Sequence, residues 1–359
     1  MSRFRRLLNL AAGVTGGVLG LAAVTRQLRI ARERAIDTIR EPEGIEWKGF
    51  IDVRGTRQWL LVRGRDRSNE LVLFLHGGPG SPVTGLAGTW YQGALEERFT
   101  VVHWEQRGAG KSFRAGRSGP LNLETYVADA LAVTDQLRAA FGKEKIFLVG
   151  HSHGALLGAD LAARYPERYH AFLAVAPLVD ATRQEQISAA YVRDFYARRG
   201  DVQAVARIDR LGPPPYPDAY RAVMAERWLL ARTPGFTGPG WPLRRATTEL
   251  LVSPHYGLWD LVNYYRGFQR SLRQHFTSTY WSVDLKRTHA EFAVPVFILI
   301  GANDQNTPAT LAREYFERLR APRKELVIID GAGHMVFFEA PARFNWEVIR
   351  LFSTLTPAR

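Results

Sequence analysis

Cysteine is absent from this chain of 359 residues. That removes thiol nucleophiles, disulfides and thiolate metal sites, and with them any signal of the redox compartment. A basic run interleaved with aromatic side chains is missing too. The net charge is +13, but much of it sits in the first 40 residues, where Arg3, Arg5, Arg6, Arg26, Arg29, Arg32, Arg34 and Arg40 face only Glu33 and Asp37. The remainder is spread thinly, so no nucleic-acid partner is expected. No Gly-x-Gly-x-x-Gly opens a helix. Gly108-Ala109-Gly110-Lys111-Ser112 imitates the end of a phosphate-binding loop, but that motif needs glycine at position 105, where Glu105 stands. His151 and His153 have no third partner at ligand spacing, so neither a metal nor another cofactor is expected. There is no internal repeat.

Hydrophobic residues make up 46% of the chain and charged residues 23%, the balance of a globular protein. The N-terminus stands apart. From Leu7 to Thr25 there are 19 positions without a charge, close to the ~20 that a bilayer-spanning helix needs. Arginines flank the run, and Asn9, Thr15 and four glycines dilute it. Residues 1–40 are therefore expected to form a single-pass membrane anchor, with either side of the membrane open to the rest of the chain. An export signal is the alternative.

Beyond residue 40, short apolar runs alternate with helical spacing. Ile45–Val53 and Gln58–Val62 read as a strand pair around Arg54-Gly55. Strands are expected at Leu71–Leu75, Phe99–Trp104, Lys145–Val149, Ala171–Val175, Val294–Ile300 and Glu325–Ile329. Helices are expected from an Asn122 N-cap through Ala140, over His153–Arg164 and Ala309–Leu319, and from Ala340 to Leu355. Fully apolar strands alternating with helices predict the α/β class, a mostly parallel sheet with helices on both faces. The alternation stops over residues 178–293, which are aromatic, Arg-rich and interrupted by Pro213-Pro214-Pro215 and Pro234–Pro242. This segment reads as a mainly helical cap inserted into one domain built from residues 41–177 and 294–359.

Gly150-His151-Ser152-His153-Gly154 falls between a predicted strand and a predicted helix. That context suits a nucleophile elbow: the glycines permit a sharp turn, and the helix N-terminus offers free N–H groups to a developing oxyanion. A serine hydroxyl needs a base. His334 follows the strand Glu325–Ile329, and Asp304 follows Val294–Ile300, so Ser152, Asp304 and His334 come in the order and positions of an α/β-hydrolase triad. Asp330 is the rival acid. For the oxyanion hole, the His153 N–H is expected to act with the N–H of Gly78, or alternatively Gly77, in His76-Gly77-Gly78-Pro79-Gly80. The His153 ring is left as a bystander.

Together, His76–Gly80, Gln106-Arg107-Gly108-Ala109-Gly110-Lys111-Ser112, the elbow, Gly301–Asp304 with Pro308, and Gly333-His334 resemble the prolyl aminopeptidase (proline iminopeptidase) branch of the α/β-hydrolase family. The resemblance covers about residues 45–355 and implies an α/β-hydrolase fold and removal of an N-terminal residue, often proline, from a short peptide. Three features depart from that branch. His153 replaces a tryptophan and Glu105 an aspartate, and the cap lacks the Trp-x-x-Trp-Glu setting that would hold the substrate amine. Glu226, before Arg227-Trp228, is the nearest counterpart, so Glu226 and Trp228 are the expected substrate-binding residues. The expected function is a serine hydrolase cleaving a small amide or ester, first an N-terminal peptide residue. A carboxylesterase of small aromatic or acyl esters is the alternative, and a catalytically silent binding module a more distant one.

Overall fold

The computed structural model describes residues 23–88, 91–114 and 118–355. Strands β1 (Ile45–Val53), β2 (Thr56–Gly64), β3 (Glu70–Leu75), β4 (Phe99–Glu105), β5 (Ile146–His151), β6 (Tyr169–Val175), β7 (Val296–Gly301) and β8 (Lys324–Ile329) build one sheet in the order β1-β2-β4-β3-β5-β6-β7-β8. The β1–β2 and β2–β4 pairs are antiparallel and all other pairs parallel. Arg54 and Gly55 make the β1–β2 hairpin turn, both at positive φ (53° and 74°), as a two-residue turn between right-twisted strands requires.

The helices are α1 (residues 23–37), α2 (Gly93–Glu96), α3 (Leu123–Phe141), α4 (His153–Arg164), α5 (Ala181–Ala197), α6 (Val202–Asp209), α7 (Ala219–Leu230), α8 (Leu243–Leu251), α9 (Leu258–His275), α10 (Leu285–Thr288), α11 (Ala309–Arg318), α12 (Val336–Glu339) and α13 (Pro341–Ser353). Asn122 caps α3 by accepting the Thr125 N–H at 2.9 Å, and Gly142, left-handed at φ 63°, ends it. Six of the helices, α5–α10, lie between β6 and β7.

Helices cover both faces of the sheet, which is why the central strands read as unbroken apolar runs. Leu71, Leu73 and Leu75 of β3 pack with Val127 and Val133 of α3 and Leu156 and Leu161 of α4. Val72 and Phe74, pointing the other way, pack with Phe337, Val348 and Phe352 of α12 and α13. β5 runs two residues further than its apolar pattern, so Gly150 and His151 are the last strand residues before Ser152.

The N-terminal expectation requires correction. Among the described residues no helix is long and apolar enough to cross a membrane. The single-pass anchor and the membrane location drawn from it find no support in the described residues, and residues 7–22 of the run, where that expectation falls, lie outside them. The flank that follows is a helix docked on the body: Ile30 of α1 is buried. Arg26 donates from Nε and Nη2 to the carbonyls of Leu251 and Tyr256 at 2.8 and 2.9 Å. Asp37, at the end of α1, pairs with the buried Arg63, which also holds Glu96 at 2.8 Å. Arg26, which reads as part of a membrane-facing basic flank, is spent on carbonyls of the same chain.

Candidate active site

In a parallel sheet, loops at the carboxyl ends of the strands gather on one edge. Here that edge collects the segments after β3 (His76–Gly80), β5 (Ser152), β7 (Asn303–Thr307) and β8 (Gly331–Met335). Ser152 sits between β5 and α4 at φ 56°, ψ −119°, a conformation that L-residues rarely adopt. It is held on both sides: its N–H donates to the Val175 carbonyl and its own carbonyl accepts the Ala155 N–H, each at 2.9 Å. The flanking glycines are steric requirements. A Cβ at Gly150 would come within 2.3 Å of the Gly154 carbonyl oxygen, and one at Gly154 within 2.2 Å of the Leu75 carbonyl oxygen.

Asp304 and His334 meet. The Nδ1 of His334 lies 2.9 Å from Oδ2 of Asp304, and both residues are buried. Asp304 Oδ1 accepts the N–H groups of Asn306 and Thr307 at 2.8 Å each, and Thr307 Oγ1 lies 2.8 Å from Oδ2. With its Nδ1 proton directed at a carboxylate, His334 keeps a lone pair on Nε2, and there Asn306 Nδ2 donates at 3.1 Å. Asp330, the rival acid, is exposed, and the acid facing the ring is Asp304.

Ser152 and His334 line one cavity of about 360 Å³ with Gly77, Gly78 and His153. Gly77 backs onto the serine, because a Cβ there would lie 2.9 Å from Ser152 Cβ. Gly78 has φ 111°. The His153 N–H belongs to the first turn of α4, where no intrahelical acceptor exists. His76 fixes the glycine loop to the next motif: its Nε2 accepts the Gln106 N–H at 3.1 Å and its carbonyl accepts Gln106 Nε2 at 3.0 Å. The residues that imitate a phosphate loop turn back on Glu105, which accepts the Lys111 N–H and the Tyr256 hydroxyl. Burial pushes the Glu105 carboxyl up to about 7.

Trp228 reaches the cavity wall, whereas Glu226 does not. Glu226 is fully buried behind the wall, 2.8 Å from Arg227 Nη1. Burial, and then the charge of Glu185, raise its carboxyl to about 8. Arg227 itself lines the cavity and also pairs with Glu185 at 2.6 Å. None of the described residues lining the cavity is a carboxylate; the rest of the wall is mainly apolar, including Met224, Phe236, Phe268, Leu272 and Phe276.

Several site residues carry no signal that sequence reading picked up. Asn306 and Thr307 lie in a short polar stretch whose orientation only the fold decides. Glu339 accepts the N–H groups of Gly238, Gly333 and Met335, clamping the His334 loop to the stretch between α7 and α8. The His334 N–H adds a bond to the Phe236 carbonyl at 2.8 Å. The arrangement can remove a proton from Ser152 through His334, balance the resulting imidazolium with Asp304, and hold a developing oxyanion against backbone N–H groups and the positive end of α4.

Residues 70–341 match the family model described as alpha/beta hydrolase fold. The probable aminopeptidase YbaC of Bacillus subtilis (strain 168) is 27% identical over 308 residues, 85% of this chain and 96% of that protein. A proline iminopeptidase of Heyndrickxia coagulans is 30% identical over 311 residues, 83% and 95% of the two chains. In the crystal structure of a bacterial membrane phospholipase A the same fold recurs, with a TM-score of 0.65, 19% identity and 100% of both chains covered. With the parallel sheet, the elbow and these matches in hand, the chain belongs to the α/β-hydrolase superfamily, in its proline iminopeptidase-like branch.

Proposed function

We propose that this hydrolase works as a serine enzyme on a small ester or amide, with Ser152 as nucleophile, His334 as general base and then general acid, and Asp304 as the group that orients His334. The observation that carries this reading is the buried Asp304–His334 contact at 2.9 Å on the cavity that Ser152 lines. Ser152 Oγ attacks the carbonyl carbon as His334 Nε2 takes its proton. The oxyanion rests on the His153 N–H and the N–H of Gly78, or of Gly77. Collapse expels the alcohol or amine, protonated by His334, and leaves an acyl-serine that water cleaves by the same steps. Residues 41–177 and 294–359 form the catalytic core in this reading, and residues 178–293 form its cap.

For the substrate, the cavity favours esters and neutral amides. An α-ammonium leaving water needs a countercharge, and among the described lining residues the one permanently charged side chain is the cation Arg227. The second reading, removal of an N-terminal peptide residue, is supported by the names of YbaC and of the Heyndrickxia coagulans protein. Turnover of proline and alanine arylamides against short acyl esters decides between the two. Esters cleaved with arylamides untouched is the expected result. A higher kcat/KM on an arylamide would overturn the ester preference in favour of the peptidase.

A further inference from the structure

The side chain that follows the nucleophile has a peculiarity that the reaction above leaves unused. His153 is 2% exposed, and among the described residues neither Nδ1 nor Nε2 has a hydrogen-bond partner. Buried polar atoms in proteins are nearly always paired, so an unpaired imidazole calls for a cause. His153 lies on the wall of the Ser152 cavity, as do His275 and Gln184. The His275 ring stands edge-on to that of His153, with centroids 4.5 Å apart at 86°. The Tyr280 ring follows at 5.6 Å from His275, and its hydroxyl accepts from Gln184 Nε2 at 3.3 Å. The other end of the Gln184 amide, Oε1, is again buried without a partner among the described residues. A polar strip thus runs from the elbow across an otherwise mainly apolar wall, and unpaired atoms stand at both of its ends.

We propose that His153 and His275 form a subsite for a neutral hydrogen-bonding group, a hydroxyl or a carboxamide, carried by the substrate close to its scissile carbonyl. The inference rests on the serine-hydrolase reading above and names the substrate class of that same site.

The chemistry of the pair selects the ligand. Burial, and then the neighbouring His275, hold the His153 ring well below the ordinary histidine range, and burial lowers His275 to about 4. Both rings are therefore neutral at neutral pH, and each offers one N–H donor and one lone-pair acceptor. A hydroxyl or carboxamide also donates and accepts, so it satisfies both sides. A carboxylate can meet only the donor. An ammonium can meet only the acceptor, and among the described residues it finds no carboxylate on this wall. An alkyl group leaves the His153 nitrogens unpaired. Where a site is built to bond a polar group, the analogue lacking that group is rejected because the site's own atoms stay unsatisfied.

The test is a set of matched p-nitrophenyl esters: butanoate, its hydroxyl-bearing counterparts substituted at each chain carbon, and the carboxamide of similar length. Each is measured on the full chain, on His153→Phe, His153→Gln and His275→Phe, with thermal unfolding as the check that each variant is folded. The reading is the ratio of kcat/KM for the polar and alkyl esters within one protein, so changes in absolute rate cancel. The wild type is expected to favour at least one polar ester by about 10- to 100-fold. His153→Phe should bring that ratio close to 1, His275→Phe should reduce it, and His153→Gln should restore part of it. Should His153→Phe fail to fold, the His275→Phe and His153→Gln pair carries the same comparison. A wild-type ratio near 1 at every position, or a ratio that survives both aromatic substitutions, overturns the subsite while leaving the hydrolase reading intact. Failure to cleave any ester, together with failure of Ser152 to take a fluorophosphonate label, overturns the hydrolase reading itself.

Discussion

Asp304 meets the Nδ1 edge of His334 at 2.9 Å while accepting two backbone N–H groups of its own loop, from Asn306 and Thr307, at 2.8 Å each. The carboxylate is thus anchored independently of the histidine it faces. Asp304→Asn should keep the fold and lose the chemistry, because an amide at this position favours the wrong histidine tautomer and cannot balance an imidazolium. The expected fall in kcat is about 10³- to 10⁴-fold, with little change in the unfolding temperature. Ester hydrolysis and a melting curve on the same preparation check both halves.

Gly77 packs against the nucleophile. Its missing side chain leaves room that a Cβ would fill, 2.9 Å from Ser152 Cβ and 3.0 Å from the His151 carbonyl oxygen. Gly77→Ala should move the serine relative to the oxyanion donors. A loss of about 100-fold in kcat is expected, larger than any change in KM. Steady-state kinetics on an ester reads the two constants separately.

Glu339 gathers the N–H groups of Gly238, Gly333 and Met335 on one carboxylate. Removing it in Glu339→Ala leaves three donors short of an acceptor, at roughly 1–3 kcal/mol for each one that stays buried. Both the denaturation midpoint and kcat should fall, since the same bonds fix the loop bearing His334. Glu339→Gln keeps one acceptor oxygen and should fall between wild type and alanine in both measurements.

How legible was this molecule before its structure? The central strands were plain, because a sheet covered on both faces leaves each strand apolar throughout, as in Leu71–Leu75 and Val296–Ile300. The residues after those strands were readable for the same reason: chain order puts Ser152, Asp304 and His334 on one edge. The segment between β6 and β7 was not. Glu226 and Trp228 look like a pair in the sequence, but two residues on a helix differ by about 200° in direction. Trp228 of α7 therefore reaches the cavity while Glu226 turns away into the buried pair with Arg227. Asn306 and Glu339 matter through where a loop turns, and no spacing encodes that. The basic flank after the N-terminal run misled because composition counts charges without showing that Arg26 and Asp37 have partners on the body.

Stability should depend on pH in an unusual direction near neutrality. Burial, and then Glu185, raise the Glu226 carboxyl from 4.5 to about 8. Between those values the folded protein holds a proton that the unfolded chain releases, so rising pH costs stability. Glu105, raised to about 7 by burial, acts in the same sense. Glu226→Gln removes one of the two contributions. Its denaturation midpoint should gain on the wild type from about pH 5 to about pH 8.5. Parallel curves for the two proteins would contradict this assignment.

The central claim is that Ser152 is the nucleophile, and intact-mass analysis after treatment with a fluorophosphonate tests it most directly. One adduct is expected on the folded wild-type protein, located at Ser152, with ester hydrolysis lost in step with labelling. Ser152→Ala should show neither adduct nor turnover. A folded wild type that takes no label, or a Ser152→Ala protein that still cleaves ester at the wild-type rate, would contradict it.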